Sequence, residues 1–200
     1  MTVPVAVLIP VKAFGAAKVR LSGTLSAAER ALLAEDLAGR VVTAAAPLPV
    51  AVVCDDDAVR DWATGAGAAV IWRPGRGLNG AVTDGVEALG AEGFARVIVA
   101  HGDLPLAHDL AWVAEFAGVT LVPDRHDDGT NVACVPTAIG FRFAYGPGSF
   151  RRHAVEGRRL RLGVRVVRHP GLGWDIDLPD DLRYPLALDT HGPSEPVACR

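Results

Sequence analysis

Short, β-branched apolar runs separated by segments of helical periodicity constrain this chain more than any other feature. Val3 to Ile9 is rich in valine and uncharged, as a strand buried on both faces requires, and it ends at Pro10. Ser26-Ala-Ala-Glu29 has the capping-box spacing of a helix start, and Leu32, Leu33, Leu37, Val41 and Val42 follow as an apolar stripe. The alternation continues with a strand over Val50 to Val53, a helix from Asp57 to Ala66, a strand over Ala69 to Trp72, a helix from Asn79 to Leu89 and a strand over Arg96 to Ala100. Strands joined through helices of this size demand right-handed crossovers and a mostly parallel sheet, so the first half reads as a Rossmann-like nucleotide-binding unit of three layers.

The second half is less regular. His108 to Phe116 reads as a short helix, Val119 to Pro123 and Val132 to Pro136 as strands, Phe150 to Glu156 as a helix and Gly163 to Val167 as a strand. The link between the middle two strands is too short for a helical crossover, which predicts antiparallel pairing at the sheet edge. From Tyr184 on, proline, serine and glycine appear without periodicity, so one domain is expected over residues 1–184 with a tail over 185–200.

Composition removes several function classes. Half of the 200 residues are hydrophobic and 22% are charged, which excludes a disordered chain. The apolar runs fall far short of the roughly 20 residues of a membrane span, and no secretory signal is visible. Three cysteines without metal-like spacing argue against a disulfide framework or structural zinc and favour a cytoplasmic location. Twenty basic against 23 acidic residues give a net charge of −3, with no global field for nucleic acid. Yet only Lys12 and Lys18 among the basic residues are lysines, and they share one segment. A compact ammonium is not interchangeable with a planar guanidinium, which marks that segment for attention.

Ligands of open α/β sheets bind outside the carboxyl ends of the parallel strands. After the first strand, Lys12, Gly15, Lys18 and Arg20 place three cations on one loop, a combination that suits a triphosphate although it matches neither common phosphate-loop pattern. After the fourth comes His101-Gly102-Asp103-Leu104-Pro105, with a carboxylate on a tight turn. Late in the chain, Asp175 and Asp177 lie two apart in an extended segment and face the same side. Asp103, Asp175 and Asp177 together make an oxygen-only cluster for a hard cation such as Mg²⁺. Asp55-Asp56-Asp57 fits the chemistry of a solvated helix start better than that of a metal site.

Six motifs in order carry a resemblance. Pro10-Val11-Lys12, Gly77-Leu78-Asn79, Gly102-Asp103-Leu104-Pro105, Asp128-Gly129-Thr130-Asn131, the run from Phe143 to Phe150 and Asp175-Ile176-Asp177-Leu178-Pro179 resemble the guanylyltransferases of coenzyme F-420 biosynthesis. The resemblance implies a nucleotidyltransferase fold of the GT-A-like kind, transfer of GMP from GTP to phosphoenolpyruvate or 2-phospho-L-lactate, and handover of the product to a downstream transferase. It implies that Asp103, Asp175 and Asp177 hold Mg²⁺, and that Lys12, Lys18 and Arg20 offset phosphate charge. Thr130, Gly146 and Ser149 match the positions that grip the phosphorylated acid, at the opening of a helix whose first N–H groups suit an anion. Gly77, Asn79 and Gly80 open another helix, placed to approach the base through backbone groups. The rival assignments are a nucleotidyltransferase for a molybdopterin or sugar phosphate, a glycosyltransferase using Asp175-Ile176-Asp177, and a non-catalytic nucleotide-binding module.

Overall fold

The computed structural model describes residues 3–183. Seven strands, β1 (Val5–Pro10), β2 (Val50–Cys54), β3 (Ala69–Trp72), β4 (Arg96–Ala100), β5 (Val119–Pro123), β6 (Thr130–Pro136) and β7 (Val164–Val166), form one sheet in the order β3-β2-β1-β4-β6-β5-β7. Helices α1 (Ala27–Ala44), α2 (Asp57–Gly65), α3 (Gly77–Ala91) and α4 (Ser149–Arg159) complete the described α-helices.

Strand pleating explains the three layers. Val7, Ile9 and Val52 point to the face covered by α1 and α2, while Ala6, Leu8, Ala51 and Val53 point to the face covered by α3 and α4. Both faces are buried, which is why the strands read as continuous apolar runs. Helix α3 lies so close to β1 that a Cβ at Gly85 would come within 2.7 Å of Leu8 Cδ2, so any side chain there would force the buried Leu8 to shift.

Helix α1 starts as its sequence predicts: Ser26 accepts from the Glu29 N–H, and Glu29 accepts from the Ser26 N–H. Its buried stripe is Ala34, Leu37, Ala38, Val41 and Ala44, and the expected member Leu32 is exposed. At about 100° per residue Leu32 falls on the side of the helix opposite this stripe, whereas Leu33 falls at its margin.

The second half departs from expectation in two places. Antiparallel pairing is present, but not at the edge: β6 lies inside the sheet, antiparallel to both β4 and β5, while the edge strand β7 runs parallel to β5. Six residues, 124–129, join β5 to β6, and the Asp124 carboxylate folds them tightly by accepting from the N–H groups of His126, Asp128 and Gly129. The helix expected from His108 to Phe116 is only a 3₁₀ turn, Ala111–Ala114. Leu110 donates its N–H to the Ala44 carbonyl of α1, which ties this segment to a neighbour instead of to its own next turn. Trp72, the last residue of edge strand β3, is exposed. The tail expected over 185–200 lies outside the described residues. No helix among the described residues is long and apolar enough to cross a membrane.

Candidate active site

The carboxyl ends of β1, β2, β3 and β4 open onto a cavity of about 470 Å³, whose lining includes Lys12, Lys18, Asp55, Arg73, Gly77 and Asp103. The loop after β1 is held by two buried anchors, Phe14, packed edge-on against Trp62, and Leu21. Between them Lys18 adopts a left-handed backbone (φ 52°), a conformation that costs free energy for a residue with a Cβ. It turns the lysine side chain inward.

There the Lys18 ammonium donates to Asp103 Oδ2 at 2.7 Å, to the Ile176 carbonyl and, at 3.5 Å, to Asp177 Oδ1. Burial alone would lower the Lys18 pKa, but the carboxylates of Asp103 and Asp177 outweigh it and hold the ammonium above its usual value. Arg20, 3.6 Å from Asp177 Oδ2, is exposed at the rim, and Lys12 is an exposed cation on the cavity wall.

Asp103, Asp175 and Asp177 each bring a carboxylate oxygen within 4.8 Å of the others. Residues 72 positions apart thus meet at the lip of the sheet, because Ile176 donates its N–H to the Asp103 carbonyl and pins the late loop across the end of β4. Burial of Asp103 works against its ionised form, but Lys18 and then His101 more than offset it, and its pKa falls. Asp175 is pushed the other way, up to about 6, by burial and then by the Asp103 charge, against the opposing hydrogen bond from Asn131 Nδ2 at 3.4 Å. Asp103 Oδ1 and His101 Nε2 are buried at the cavity with no hydrogen-bond partner among the described residues.

Asp181, which the sequence reasoning missed, shapes the late loop. Its Oδ2 accepts from the N–H groups of Asp177 and Leu178, its Oδ1 pairs with Arg125, and the Arg125 guanidinium lies over the Trp174 ring at 4.5 Å. An aspartate in a turn just after a proline is a legible turn signal, but Arg125 comes from another loop and left no local trace.

Thr130, Gly146 and Ser149 form a second cluster, outside the lining of the cavity. Thr130 and Ser149 are buried, with hydroxyls 3.5 Å apart. The helix opening does not offer all its N–H groups to an anion, as the sequence suggested. Gly148 N–H goes to Asp128 Oδ1, Ser149 N–H to the Gly146 carbonyl and Phe150 N–H to the Asp128 carbonyl. Asp128 acts as the cap that a ligand was expected to replace. His153, one turn along α4, accepts the Ala144 N–H at Nε2, so the neutral ring keeps its proton on Nδ1 and donates it to Thr130 Oγ1 at 3.0 Å. The Thr130 hydroxyl proton is thereby directed away from the histidine.

Gly77 lines the cavity at the start of α3, whereas Asn79 and Gly80 are not part of the lining. Asn79 Oδ1 accepts from the Tyr145 N–H, so this residue ties the two halves of the chain together.

The family model described as "Guanylyl transferase CofC like" matches residues 5–194. A phosphoenolpyruvate guanylyltransferase of Sphaerobacter thermophilus is 35% identical over 184 residues, 88% of this chain and 89% of the relative. One of Roseiflexus castenholzii is 37% identical over 196 residues, 96% and 92% of the two chains. Among solved structures, a nucleotidyl transferase from Methanothermobacter thermautotroptrophicus superimposes with a TM-score of 0.58 at 14% identity, over 90% of this chain and 94% of that one, and so shares the fold. A strand-edge cavity with clustered cations and carboxylates, together with these relatives, makes the chain a nucleotidyltransferase that belongs to the CofC-like guanylyl transferase family.

Proposed function

We propose that this enzyme transfers GMP from GTP to the phosphate of a small phosphorylated carboxylic acid, phosphoenolpyruvate or 2-phospho-L-lactate, with release of pyrophosphate, in coenzyme F-420 biosynthesis. The observation that carries the proposal is the meeting of Asp103, Asp175 and Asp177 beside Lys18 at the cavity. The relatives named phosphoenolpyruvate guanylyltransferase support the acceptor class.

The donor set fits a hard divalent ion: it is all oxygen, and one of its buried oxygens, Asp103 Oδ1, lacks a partner among the described residues. Asp103, Asp175 and Asp177 would hold Mg²⁺, which when bound supplies charge neutralisation on the phosphates. Lys18 and Lys12 offset the remaining charge of the triphosphate, and Arg20 at the rim offsets that of the departing pyrophosphate. An oxygen of the acceptor phosphate attacks the α-phosphorus in line; the bond to the bridging oxygen breaks, and pyrophosphate leaves with the electron pair. The attacking oxygen is already anionic near neutral pH, so no general base is required.

Thr130, Gly146 and Ser149 grip the acid, with Thr130 as a donor because His153 already supplies a proton to its oxygen. Thr130 and Ser149 are buried whereas Gly146 is exposed, so the two loops joined by Asp128 must part for the acid to reach both hydroxyls. Gly77, Asn79 and Gly80 place the start of α3 beside the nucleotide. The product is a reactive mixed diphosphate, best passed directly to a downstream transferase in the cytoplasm. The test is pyrophosphate release with Mg²⁺, crossing GTP, ATP and CTP with phosphoenolpyruvate, 2-phospho-L-lactate and 3-phosphoglycerate. Release with GTP and one of these acids is expected; no release with any acid overturns the proposal.

A further inference from the structure

Three consecutive aspartates follow β2, and the structure gives each different surroundings. Asp56 caps α2 by accepting from the Val59 N–H, and Asp57 pairs with Arg60 at 2.6 Å. Asp55 has no hydrogen bond or ion pair among the described residues, and it lines the cavity. Asp55 emerges two strands away from Asp103 in the order β2-β1-β4, which at the ordinary strand spacing is about 10 Å along the sheet edge. That offset separates a base from its α-phosphate across a ribose. The cavity that Asp55 lines is otherwise largely apolar, with Phe14, Ala17, Val53, Leu78 and Ala81 among its walls, surroundings that suit a base. His101 Nε2 and Asp103 Oδ1, buried on the same cavity without a partner among the described residues, point independently to a polar ligand.

We infer that Asp55 selects the guanine base, its two carboxylate oxygens accepting from the N1–H and the N2 amino group. The inference rests on the proposed use of GTP. Guanine offers two adjacent donors on this edge, whereas adenine offers an acceptor at N1 and nothing at C2, so a carboxylate attracts the one and repels the other. Arg73 leaves β3 next to Asp55, its backbone N–H bonded to the Cys54 carbonyl, and lines the same cavity, with its guanidinium held by the Trp72 carbonyl at 2.8 Å and by Asp84 at 3.7 Å.

The experiment compares wild type and Asp55→Asn with GTP, XTP and ATP, by pyrophosphate release with phosphoenolpyruvate and by equilibrium binding of each nucleotide with Mg²⁺. Xanthine carries a carbonyl at C2, which matches the amide N–H₂ of asparagine. Asp55→Asn is expected to lower kcat/KM and affinity for GTP by about 10- to 100-fold, to make XTP the preferred nucleotide and to leave Tm unchanged. A variant that still prefers GTP to XTP overturns the inference while leaving guanylyl transfer standing. Wild type that binds GTP selectively but never releases pyrophosphate overturns guanylyl transfer, and the binding comparison still decides Asp55. Wild type that does not bind GTP overturns both.

Discussion

The Lys18 ammonium and Asp103 Oδ2 lie 2.7 Å apart although 85 residues separate them in the chain. The same ammonium reaches Asp177, so one lysine gathers two of the three clustered carboxylates. It thereby places a positive charge where a divalent ion would share the same ligands.

Lys18→Met therefore leaves a partly buried carboxylate pair without its counter-charge. We expect a loss of about 2–3 kcal/mol of stability, partial recovery of Tm on adding Mg²⁺ beyond the shift seen in wild type, and a fall in kcat of about 100-fold. Thermal melts with and without Mg²⁺, read beside pyrophosphate release, check this. An equal Mg²⁺ shift in both proteins would refute it.

Burial raises the cost of the Asp175 charge, and the field of Asp103 and then of Asp177 adds to it. Asp175→Asn keeps the shape and an acceptor for Asn131 while removing the repulsion. Its Tm is expected to rise as pyrophosphate release falls by about 100-fold or more, the trade-off of a site strained for function. A variant melting below wild type would count against this account.

Asp181 fixes the backbone that presents Asp177, without itself belonging to the carboxylate cluster. Asp181→Ala strands two N–H groups and the Arg125 guanidinium, for a loss of about 2–4 kcal/mol. We further expect the Mg²⁺ concentration for half-maximal activity to rise several-fold while KM for GTP moves little. A metal titration at fixed GTP measures this, and an unchanged metal requirement would mean that Asp181 serves stability alone.

His153 is buried, with Tyr145, Phe141 and Phe143 against its ring, Thr130 on Nδ1, and His101, Arg152 and Glu156 as its charged or titratable surroundings. Burial, then the positive charges of His101 and Arg152, lower its pKa from 6.5 to about 4. The unfolded chain therefore takes up a proton below pH 6.5 that the folded chain refuses until about pH 4. Stability from this residue is complete above pH 6.5, declines through that window by about 3 kcal/mol in total, and changes no further below it. Denaturant titrations across pH 4–7 should show a shallower decline for His153→Gln than for wild type; parallel curves would refute the assignment.

The first half of the fold was legible because its order is local. β3 and β4 occupy the spans their sequences indicate, and the Ser26 capping box forms, since each depends on neighbours along the chain. The interior position of β6 was not legible. A short link between β5 and β6 dictates that they run antiparallel, but nothing local says that β6 also pairs with β4. At the site, Asp103, Asp175 and Asp177 were visible through strand-end logic, and the structure brings them together. Arg125, Arg73 and His153 were not, because their partners come from distant segments: Asp181 for the first, the cavity wall for the second, Ala144 and Thr130 for the third. The opening of α4 was read as free for a related reason, since the bond from Gly148 to Asp128 crosses between loops that no motif joins.

The reversal of β6 carries a lasting consequence. A strand running against its neighbours delivers its beginning, not its end, to the rim where they finish, so Thr130 and Asn131 arrive there from a hairpin. Under the proposed roles, change in that hairpin would retune which acid is accepted while the lysine-bearing loop after β1, rooted in a separate crossover, stays untouched. Such modularity offers one architecture a route to new acceptors.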